Sequence, residues 1–472
     1  MVHRSVAMQG EDGALRECGL AALAARFGER FSRSAALREQ HGHTVTWLAN
    51  EPPEAVVFPD STPEVQEIVR QCARHRLPII PFGTGTSVEG QVNAPAGGVS
   101  IDFSRMQAIL AVNEEDMDCV VQPGVTRKAL NEHLRDKGLF FPIDPGADAS
   151  LGGMAATRAS GTNAVRYGTM REAVVAVKAV MADGEVLTSA RRARKSASGY
   201  DLTRLLVGSE GTLGIITELT LRLHGIPEAI SGGYCPFPDV EAACNAVIMT
   251  IQLGIPVARI ELLDAAQVKA CNVYSNLGLP EAPMLFLEFH GSEGGVAEQS
   301  EKFAAIAGDC GGGDFHWSTM AEERTRLWQA RHDAYWAAKA LRPGASSYST
   351  DVCVPISRLA ECVAETRRAL EAARLVGTIL GHVGDGNFHV LLLVDGQDAR
   401  ERAAVDTFLR DLIARSLAAG GTCSGEHGIG QGKAKYLAAE HGVPAVRAMR
   451  LIKRALDPGN ILNPGKLFDA AD

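Results

Sequence analysis

The sequence predicts an α+β protein with more than one domain, and three observations support this prediction. The chain has 472 residues, which is more than one hydrophobic core usually supports. Up to Pro227, short helix and strand patterns are interrupted by three glycine-rich loops. After Pro227 the pattern changes to long helices and strands, which places a domain boundary near residues 225–235.

Composition excludes several classes of protein. Hydrophobic residues make up 46% and charged residues 22%, an ordinary globular balance, and the formal net charge of -9 argues against a nucleic-acid-binding surface. No apolar run of about 18 residues occurs, so we expect no membrane span and see no basic amphipathic patch for peripheral membrane association. The N-terminus has no secretory signal and the ten cysteines form no C-x-x-C pair, which favours a cytoplasmic location, or the mitochondrial matrix in a eukaryote.

The first domain is predicted from a run of local signals. Residues 1–54 form a mainly helical lead-in, and the predicted domain covers 55–227. Ser61 and Glu64 match a capping box at the start of a helix. A strand at 77–82 then leads into the first glycine-rich loop. Further strands are predicted at 99–103, 118–122, 174–182, 185–188 and 214–223, with a helix at 126–137.

The second half is predicted to form a second domain, 228–425, followed by a segment, 426–472, that returns to the first domain. Strands are predicted at 258–263, 284–289, 352–355, 377–382 and 389–394, and helices at 321–340 and 399–419.

The glycine-rich loops predict a large ligand, although not in a Rossmann site. The first loop, GTGTSVEG at 83–90, has the wrong glycine spacing and leads to a strand rather than a helix. In the second, 144–174, Ser150 could cap a short helix whose free N–H groups at Gly152 and Gly153 would bind a phosphate. The third is 208–217. Any one of them could be simple turn chemistry, but three in one domain favour an extended ligand touched from several sides.

These segments, over residues 50–227, resemble the FAD-binding domain of the vanillyl-alcohol-oxidase (PCMH-type) flavoprotein family. The resemblance implies two α/β subdomains and an FAD whose pyrophosphate lies at the loop PFGTGTSVEG. Because that loop contains no histidine, the FAD is expected to be non-covalent. The residues that the resemblance assigns to FAD are Pro81, Gly83, Thr84, Gly85, Thr86, Ser87, Gly90, Pro145, Ala149, Gly152, Ser160, Asn163, Tyr167, Gly168, Glu210, Gly211, Ile216 and Asn463.

Two histidines stand out from the thirteen in the chain. An isolated histidine is more often structural, and we interpret His75, His224, His290 and His316 in that way. By contrast, His382 and His389 flank a Gly-Asp-Gly-Asn turn, and Glu426-His427 lies between glycines. Two histidines and one carboxylate suit zinc, manganese or iron. A helix-end charge pair or turn-stabilising histidines would explain the same residues without a metal.

Residues 228–468 resemble the C-terminal domain of the D-lactate and D-2-hydroxyglutarate dehydrogenases. The resemblance implies that 228–425 is a substrate domain built from an antiparallel sheet and helices. The resemblance implies that His382, His389 and Glu426 bind a divalent metal and that His427 is the catalytic base. It also favours Arg331 as the anchor for a substrate carboxylate, since a guanidinium can bind a carboxylate through two hydrogen bonds. We interpret Arg324, Arg326 and Arg342 as solvated neighbours of Arg331.

The neutral residue at position 349, a serine, indicates the size and charge of the substrate. The 2-hydroxyglutarate enzymes have a lysine at the corresponding position, which binds a second carboxylate, and the surrounding residues resemble the cytochrome-type D-lactate dehydrogenase branch. A small 2-hydroxy monocarboxylate is therefore expected, with cytochrome c, a quinone or an electron-transfer flavoprotein as electron acceptor. The alternatives are a D-2-hydroxyglutarate or glycolate dehydrogenase, a metal-dependent hydrolase and a non-catalytic flavin-binding subunit.

Overall fold

The computed structural model describes residues 2–468. Its strands are β1 (Phe31–Ser32), β2 (Ala55–Val57), β3 (Ile79–Phe82), β4 (Val99–Asp102), β5 (Ile109–Asn113), β6 (Asp118–Val121), β7 (Leu139–Phe140), β8 (Val174–Val180), β9 (Val186–Thr188), β10 (Ile215–Arg222), β11 (His224–Gly225), β12 (Ala229–Pro236), β13 (Val257–Leu263), β14 (Met284–Gly291), β15 (His316–Ser318), β16 (Ser346–Ser349), β17 (Val352–Cys353), β18 (Gly377–Gly381) and β19 (Asn387–Val394).

Its α-helices are α1 (Val2–Phe27), α2 (Ala35–His41), α3 (Thr62–His75), α4 (Arg127–Leu134), α5 (Leu151–Thr157), α6 (Ala164–Tyr167), α7 (Met170–Ala173), α8 (Leu202–Leu206), α9 (Val240–Gln252), α10 (Ala265–Ser275), α11 (Glu293–Asp309), α12 (Ala321–His332), α13 (Ala334–Lys339), α14 (Leu359–Ala372), α15 (Ala399–Ala418), α16 (Leu437–His441) and α17 (Val443–Leu456). No helix within residues 2–468 is long and apolar enough to cross a bilayer.

The chain forms two compact units. The first contains the residues up to Ser160, Thr169–Gly225 and the segment from Glu426 onward. The second contains Gly161–Gly168 and Ile226–Gly425. The chain therefore leaves the first unit twice and returns to it twice.

The first sheet of unit one has the strand order β1-β2-β4-β3. Strands β2, β4 and β3 are parallel, and the loop that joins β3 to β4 contains no helix. The prediction that the first glycine-rich loop leads to a strand is therefore confirmed. The apolar side chains on the inner face of α3 are buried together with those of β3 and β4, as its helical stripe predicts.

The prediction of a capping box at the start of α3 is wrong, because the hydrogen bonds that define one are not made. Ser61 is the N-cap residue, but its side chain makes no capping hydrogen bond. Glu64 instead accepts hydrogen bonds from the Arg30 guanidinium at 2.6 and 2.7 Å and from the Asp60 N–H at 2.8 Å. The hydrogen bond from Arg30 is the main reason why the pKa of Glu64 falls to about 2. An ion pair with a residue 34 positions away has replaced the local capping interaction.

The second sheet of unit one is antiparallel, in the order β5-β6-β10-β8-β9. Its inner face packs against α4 and α5, and these side chains form a continuous buried core. The first glycine-rich loop follows β3, the second contains α5 and the third leads into β10, so the two sheets and this helix fix where the loops lie.

Unit two is built on one antiparallel sheet in the order β15-β12-β14-β13-β18-β19-β16, with β17 also paired to β19. The single helix predicted at 321–340 is wrong, because α12 ends at His332 and α13 starts at Ala334. Asp333 separates them with a ψ of -2°, far from the helical value of about -42°. The Asp333 N–H still donates to the Gln329 carbonyl at 2.9 Å and the Ala337 N–H donates to the Asp333 carbonyl at 2.9 Å, so the two helices follow each other directly.

Candidate functional site

In unit one, the three glycine-rich loops come together. A Cβ added to Gly83 would lie 2.1 Å from the Ser150 hydroxyl, and one added to Gly211 would lie 2.4 Å from the Pro81 ring. Such contacts are too short for any Cβ, so at these two points the side chains of Ser150 and Pro81 pack directly against a glycine backbone. Gly85 in the first loop has a φ of +65°, a conformation that also favours glycine.

The N-terminus of α5 does not present the free N–H groups that the sequence predicts. Ser150 caps the helix as expected, since its hydroxyl accepts the Gly153 N–H at 3.4 Å. However, the Leu151 N–H donates to the Val125 carbonyl at 2.8 Å and the Gly152 N–H donates to the Pro123 carbonyl at 2.9 Å. These donors are already used, so this part of the anion-site prediction is wrong.

The first loop offers hydroxyl groups to a ligand instead. The Ser87 Oγ is buried, and it has no hydrogen-bond partner among residues 2–468. Thr84 and Thr86 are exposed in the same loop. A buried hydroxyl without a partner is unfavourable unless a ligand or water completes it, and phosphate oxygens accept hydrogen bonds from such groups. The loop therefore suits a dinucleotide pyrophosphate.

Fifteen of the eighteen predicted FAD residues lie in unit one, and the remaining three, Asn163, Tyr167 and Gly168, lie in unit two. Within unit two, Arg259 donates to the Asn163 Oδ1 at 3.0 Å. The Tyr167 hydroxyl lies 2.7 Å from the His290 Nδ1, and the His290 Nε2 lies 2.8 Å from the Glu288 carboxylate. Because both of its nitrogens are bonded to protein groups, His290 has the structural role that the sequence predicts.

Glu210 connects the third glycine-rich loop to the C-terminal segment of unit one. It adopts a φ of +53°, is buried, and accepts the Ile429 N–H at 2.6 Å and the Gly430 N–H at 2.8 Å. Burial raises the pKa of Glu210 to about 7, although these two hydrogen bonds favour its ionised form. The Asn463 amide donates to the Glu210 carbonyl at 2.7 Å, so the end of the chain is fixed at the same point.

The glycines around His427 are required by close packing. The Gln91 Nε2 donates to the His427 carbonyl at 2.8 Å. A Cβ on Gly428 would lie 2.6 Å from the Glu210 carboxylate, and one on Gly430 would lie 2.0 Å from the Glu89 carbonyl. The sequence gives no signal for Gln91, because its partner lies 336 residues away.

Two lysines are buried beside this segment. The Lys433 Nζ lies 3.1 Å from the Glu89 carboxylate, and both side chains are 2% exposed. The Lys466 Nζ donates to the Asn93 carbonyl at 2.7 Å, and burial lowers its pKa to about 8. Lys433 and Lys466 therefore hold the C-terminal segment against the rest of unit one through buried polar interactions, which solvent screens much less than exposed ones.

In unit two, the turn between β18 and β19 brings His382 and His389 together. Their ring centroids are 5.5 Å apart and the rings are nearly perpendicular, at 83°. The His382 Nδ1 donates to Glu261 at 2.7 Å and the His389 Nδ1 donates to the Thr350 carbonyl at 2.8 Å. In metal sites, a ligating histidine usually donates its other ring N–H to such an acceptor. Both histidines therefore suit metal ligation through Nε2.

Arg331 is buried and contacts the carboxylate of Glu261, the residue that also pairs with His382. Its Nε donates to the Glu261 Oε2 at 2.9 Å and its Nη2 lies 2.6 Å from the same atom. Burial raises the pKa of Glu261, but its interactions with His382 and Arg331 lower it by more, so the net shift is downward. Sequence reasoning missed Glu261, although a single carboxylate inside the apolar strand β13 is a signal that it has buried partners.

Comparison with known proteins shows the family. The family model "FAD linked oxidases, C-terminal domain" matches residues 226–467, and the model "FAD binding domain" matches residues 53–190. The chain therefore belongs to the FAD-linked oxidases. The predictions of this flavoprotein family and of an FAD-linked oxidoreductase are confirmed.

Its relatives include a probable mitochondrial D-lactate dehydrogenase of Danio rerio, 52% identical over 93% of this chain and 89% of the relative. A mitochondrial D-lactate dehydrogenase (cytochrome) of Arabidopsis thaliana is 47% identical over 88% of this chain and 73% of the relative. A solved structure of p-cresol methylhydroxylase with substrate bound superposes with a TM-score of 0.81 at 18% identity, covering 97% of this chain and 98% of that one. The predicted PCMH-type fold is confirmed.

Proposed function

We propose that the chain oxidises D-lactate, or a similar D-2-hydroxy monocarboxylate, to the 2-oxo acid. The observation that carries the proposal is the 52% identity to a protein named as a D-lactate dehydrogenase over most of both chains. A mitochondrial location in a eukaryote agrees with the names of the relatives.

Arg331 is the proposed anchor for the substrate carboxylate. Its Nε and Nη2 are held by Glu261, so one edge of the guanidinium is fixed and the plane of the group is set. An oriented guanidinium loses less conformational entropy on binding a carboxylate than a mobile one does. The neutral Ser349 supplies no charge for a second carboxylate, which favours lactate over 2-hydroxyglutarate.

Proton transfer is assigned to His427. A neutral imidazole accepts a proton near pH 7, as the C2 hydroxyl requires. Its loop is held by Gln91 and Glu210, so the backbone at His427 is fixed before the substrate arrives. His382, His389 and Glu426 are the proposed ligands of a divalent metal, which when bound lowers the pKa of the substrate hydroxyl.

FAD is the proposed cofactor, and when bound it would supply the two-electron oxidation at C2 of the substrate. The residues proposed to hold it are those of the three glycine-rich loops, together with Asn463. Support comes from the buried Ser87 hydroxyl and the close backbone contacts at Gly83 and Gly211. The oxidation would need an acceptor for its two electrons, for which cytochrome c, a quinone and an electron-transfer flavoprotein are the candidates.

The test is an anaerobic visible spectrum of the purified protein with three substrates. Bleaching of the flavin bands by D-lactate, and not by L-lactate or D-2-hydroxyglutarate, is the expected result. Bleaching chiefly by D-2-hydroxyglutarate or by glycolate would instead make that acid the substrate. A protein that takes up FAD but is bleached by none of them would support a non-catalytic subunit. Loss of bleaching after EDTA and its recovery with Zn²⁺ or Mn²⁺ would support the metal.

A further inference from the structure

The two carboxylate oxygens of Glu261 contact two different side chains of the proposed site, one oxygen for each side chain. Its Oε1 lies 2.7 Å from the His382 Nδ1, and its Oε2 lies 2.9 Å from the Arg331 Nε and 2.6 Å from the Arg331 Nη2. The side chain is 1% exposed, so water does not compete for either oxygen. The orientations of the imidazole and the guanidinium are therefore set by the same group.

We propose that Glu261 is a positioning residue that fixes the tautomer of His382 for metal binding while it orients Arg331. The inference rests on the proposed function, in which His382 binds a metal and Arg331 binds the substrate carboxylate. A carboxylate paired with Arg331 is a hydrogen-bond acceptor on both oxygens. His382 must then carry its proton on Nδ1 and its lone pair on Nε2, which is the arrangement that a metal requires.

Glu261→Gln reverses this arrangement. A glutamine amide has one acceptor oxygen and one donor NH₂ group, whereas Arg331 has only donors. The amide oxygen therefore faces Arg331 and the NH₂ group faces the His382 Nδ1. That nitrogen must now accept a hydrogen bond, so the proton moves to Nε2 and blocks the metal-binding lone pair. Loss of such a partner typically weakens metal affinity about 10–100-fold.

The chain contains a matched control on the neighbouring strand. Glu288 on β14 is also buried and is also paired with one histidine and one arginine, with the His290 Nε2 at 2.8 Å and the Arg259 Nε at 3.5 Å. The His290 Nδ1 is already bonded to the Tyr167 hydroxyl, so His290 has no nitrogen left for a metal. Glu288→Gln makes the same chemical change at similar burial without touching His382.

The experiment uses the full-length protein loaded with FAD and stripped of metal. Zn²⁺ alone is titrated against a chelator of known affinity for the wild type, Glu261→Gln and Glu288→Gln. We expect Glu261→Gln to bind Zn²⁺ about 10–100-fold more weakly and Glu288→Gln to bind it like the wild type. Equal affinity in all three proteins, or an equal loss in both variants, would overturn the inference. A wild type that binds no Zn²⁺ would overturn the proposed metal site as well, so the two failures are distinguishable.

Glu261→Asp takes the place of the glutamine variant if that protein does not fold. It keeps the charge but is one methylene shorter, so it reaches Arg331 or His382 but not both. We expect at least one of two defects in Glu261→Asp: a weaker affinity for Zn²⁺ or a raised KM for D-lactate. Wild-type values of both would overturn the inference.

Discussion

The side-chain amide of Gln91 donates a hydrogen bond to the carbonyl oxygen of His427 at 2.8 Å, although 336 residues separate them. Glu210 accepts the N–H groups of Ile429 and Gly430 from the same loop. The backbone that carries the proposed base is thus held by side chains from two distant loops of unit one. These bonds fix the loop at a place where Gly428 and Gly430 allow its backbone to pack closely against Glu210 and Glu89.

Because the pKa of Glu210 is raised in the folded protein, we expect the stability of the protein to depend on pH. Burial raises its pKa from 4.5 to about 7 in the folded protein. Between these values the folded state keeps a proton that the unfolded state has lost, so the free energy of unfolding falls as the pH rises from 4.5 to 7. Each unit of pKa difference corresponds to about 1.4 kcal/mol. Denaturant unfolding across this range should show the fall in the wild type and a reduced slope in Glu210→Gln.

The control for this prediction is Glu64→Gln. The pKa of Glu64 is lowered to about 2, so its contribution is lost only as the pH falls below its unfolded value of 4.5. This variant should keep the wild-type slope between pH 4.5 and pH 7. A Glu210→Gln protein with an unchanged slope would contradict the prediction.

Gly83→Ala should weaken FAD binding. The added Cβ would lie 2.1 Å from the Ser150 hydroxyl, which caps α5, so either that hydroxyl rotates away and the helix loses its cap or the first loop moves away from the helix. We expect the dissociation constant for FAD, measured by flavin fluorescence on reconstitution, to rise about tenfold or more, which is at least about 1.4 kcal/mol.

Ser150→Ala serves as the partner variant for Gly83→Ala. Alone it removes a helix cap, at a cost of about 1 kcal/mol in stability. Combined with Gly83→Ala it removes the clashing oxygen, so the double variant should recover part of the FAD affinity. Wild-type affinity in Gly83→Ala alone would show that the loop does not need this close contact.

Lys433→Met should strongly destabilise the folded protein. The Lys433 Nζ lies 3.1 Å from the Glu89 carboxylate and both side chains are buried, so the variant removes the cation beside a buried carboxylate. Breaking such a pair by removing one partner costs about 3–5 kcal/mol. The double variant Lys433→Met with Glu89→Gln should recover much of this loss in thermal unfolding. Additive losses in the two single variants would argue against an interaction between them.

Local patterns in the sequence predict much of the fold. The stripe of α3 and the turn that joins His382 to His389 depend on neighbouring residues, which a sequence displays directly. The close contacts of the glycine-rich loops do not, because Gly83 meets Ser150 and Gly211 meets Pro81. Glu261 was missed because its partners lie 70 and 121 residues away on other elements. The N–H groups of α5 were misassigned for the same reason, since the carbonyls of Pro123 and Val125 belong to another segment.

Ser349→Lys should shift the substrate preference towards a dicarboxylate. Ser349 is half-buried at the end of β16 and pairs in register with Leu391, two residues along β19 from His389. A lysine at this position supplies a cation for the second carboxylate of D-2-hydroxyglutarate. A hydrogen bond to a charged group contributes about 1.5–3 kcal/mol, so the ratio of kcat/KM for D-2-hydroxyglutarate over D-lactate should rise about tenfold or more.

The control for charge is Ser349→Met, which adds a long side chain without a cation. Since it changes bulk alone, it should lower kcat/KM for both acids and leave their ratio near that of the wild type. The comparison is made at low and high salt, because an exposed ammonium is screened by ions whereas a partly buried one is screened much less. A ratio that rises equally in Ser349→Met and Ser349→Lys would mean that shape rather than charge selects the substrate at this position. An unchanged ratio in Ser349→Lys would place the second carboxylate beyond the reach of residue 349, and the preference for a monocarboxylate would then need another cause.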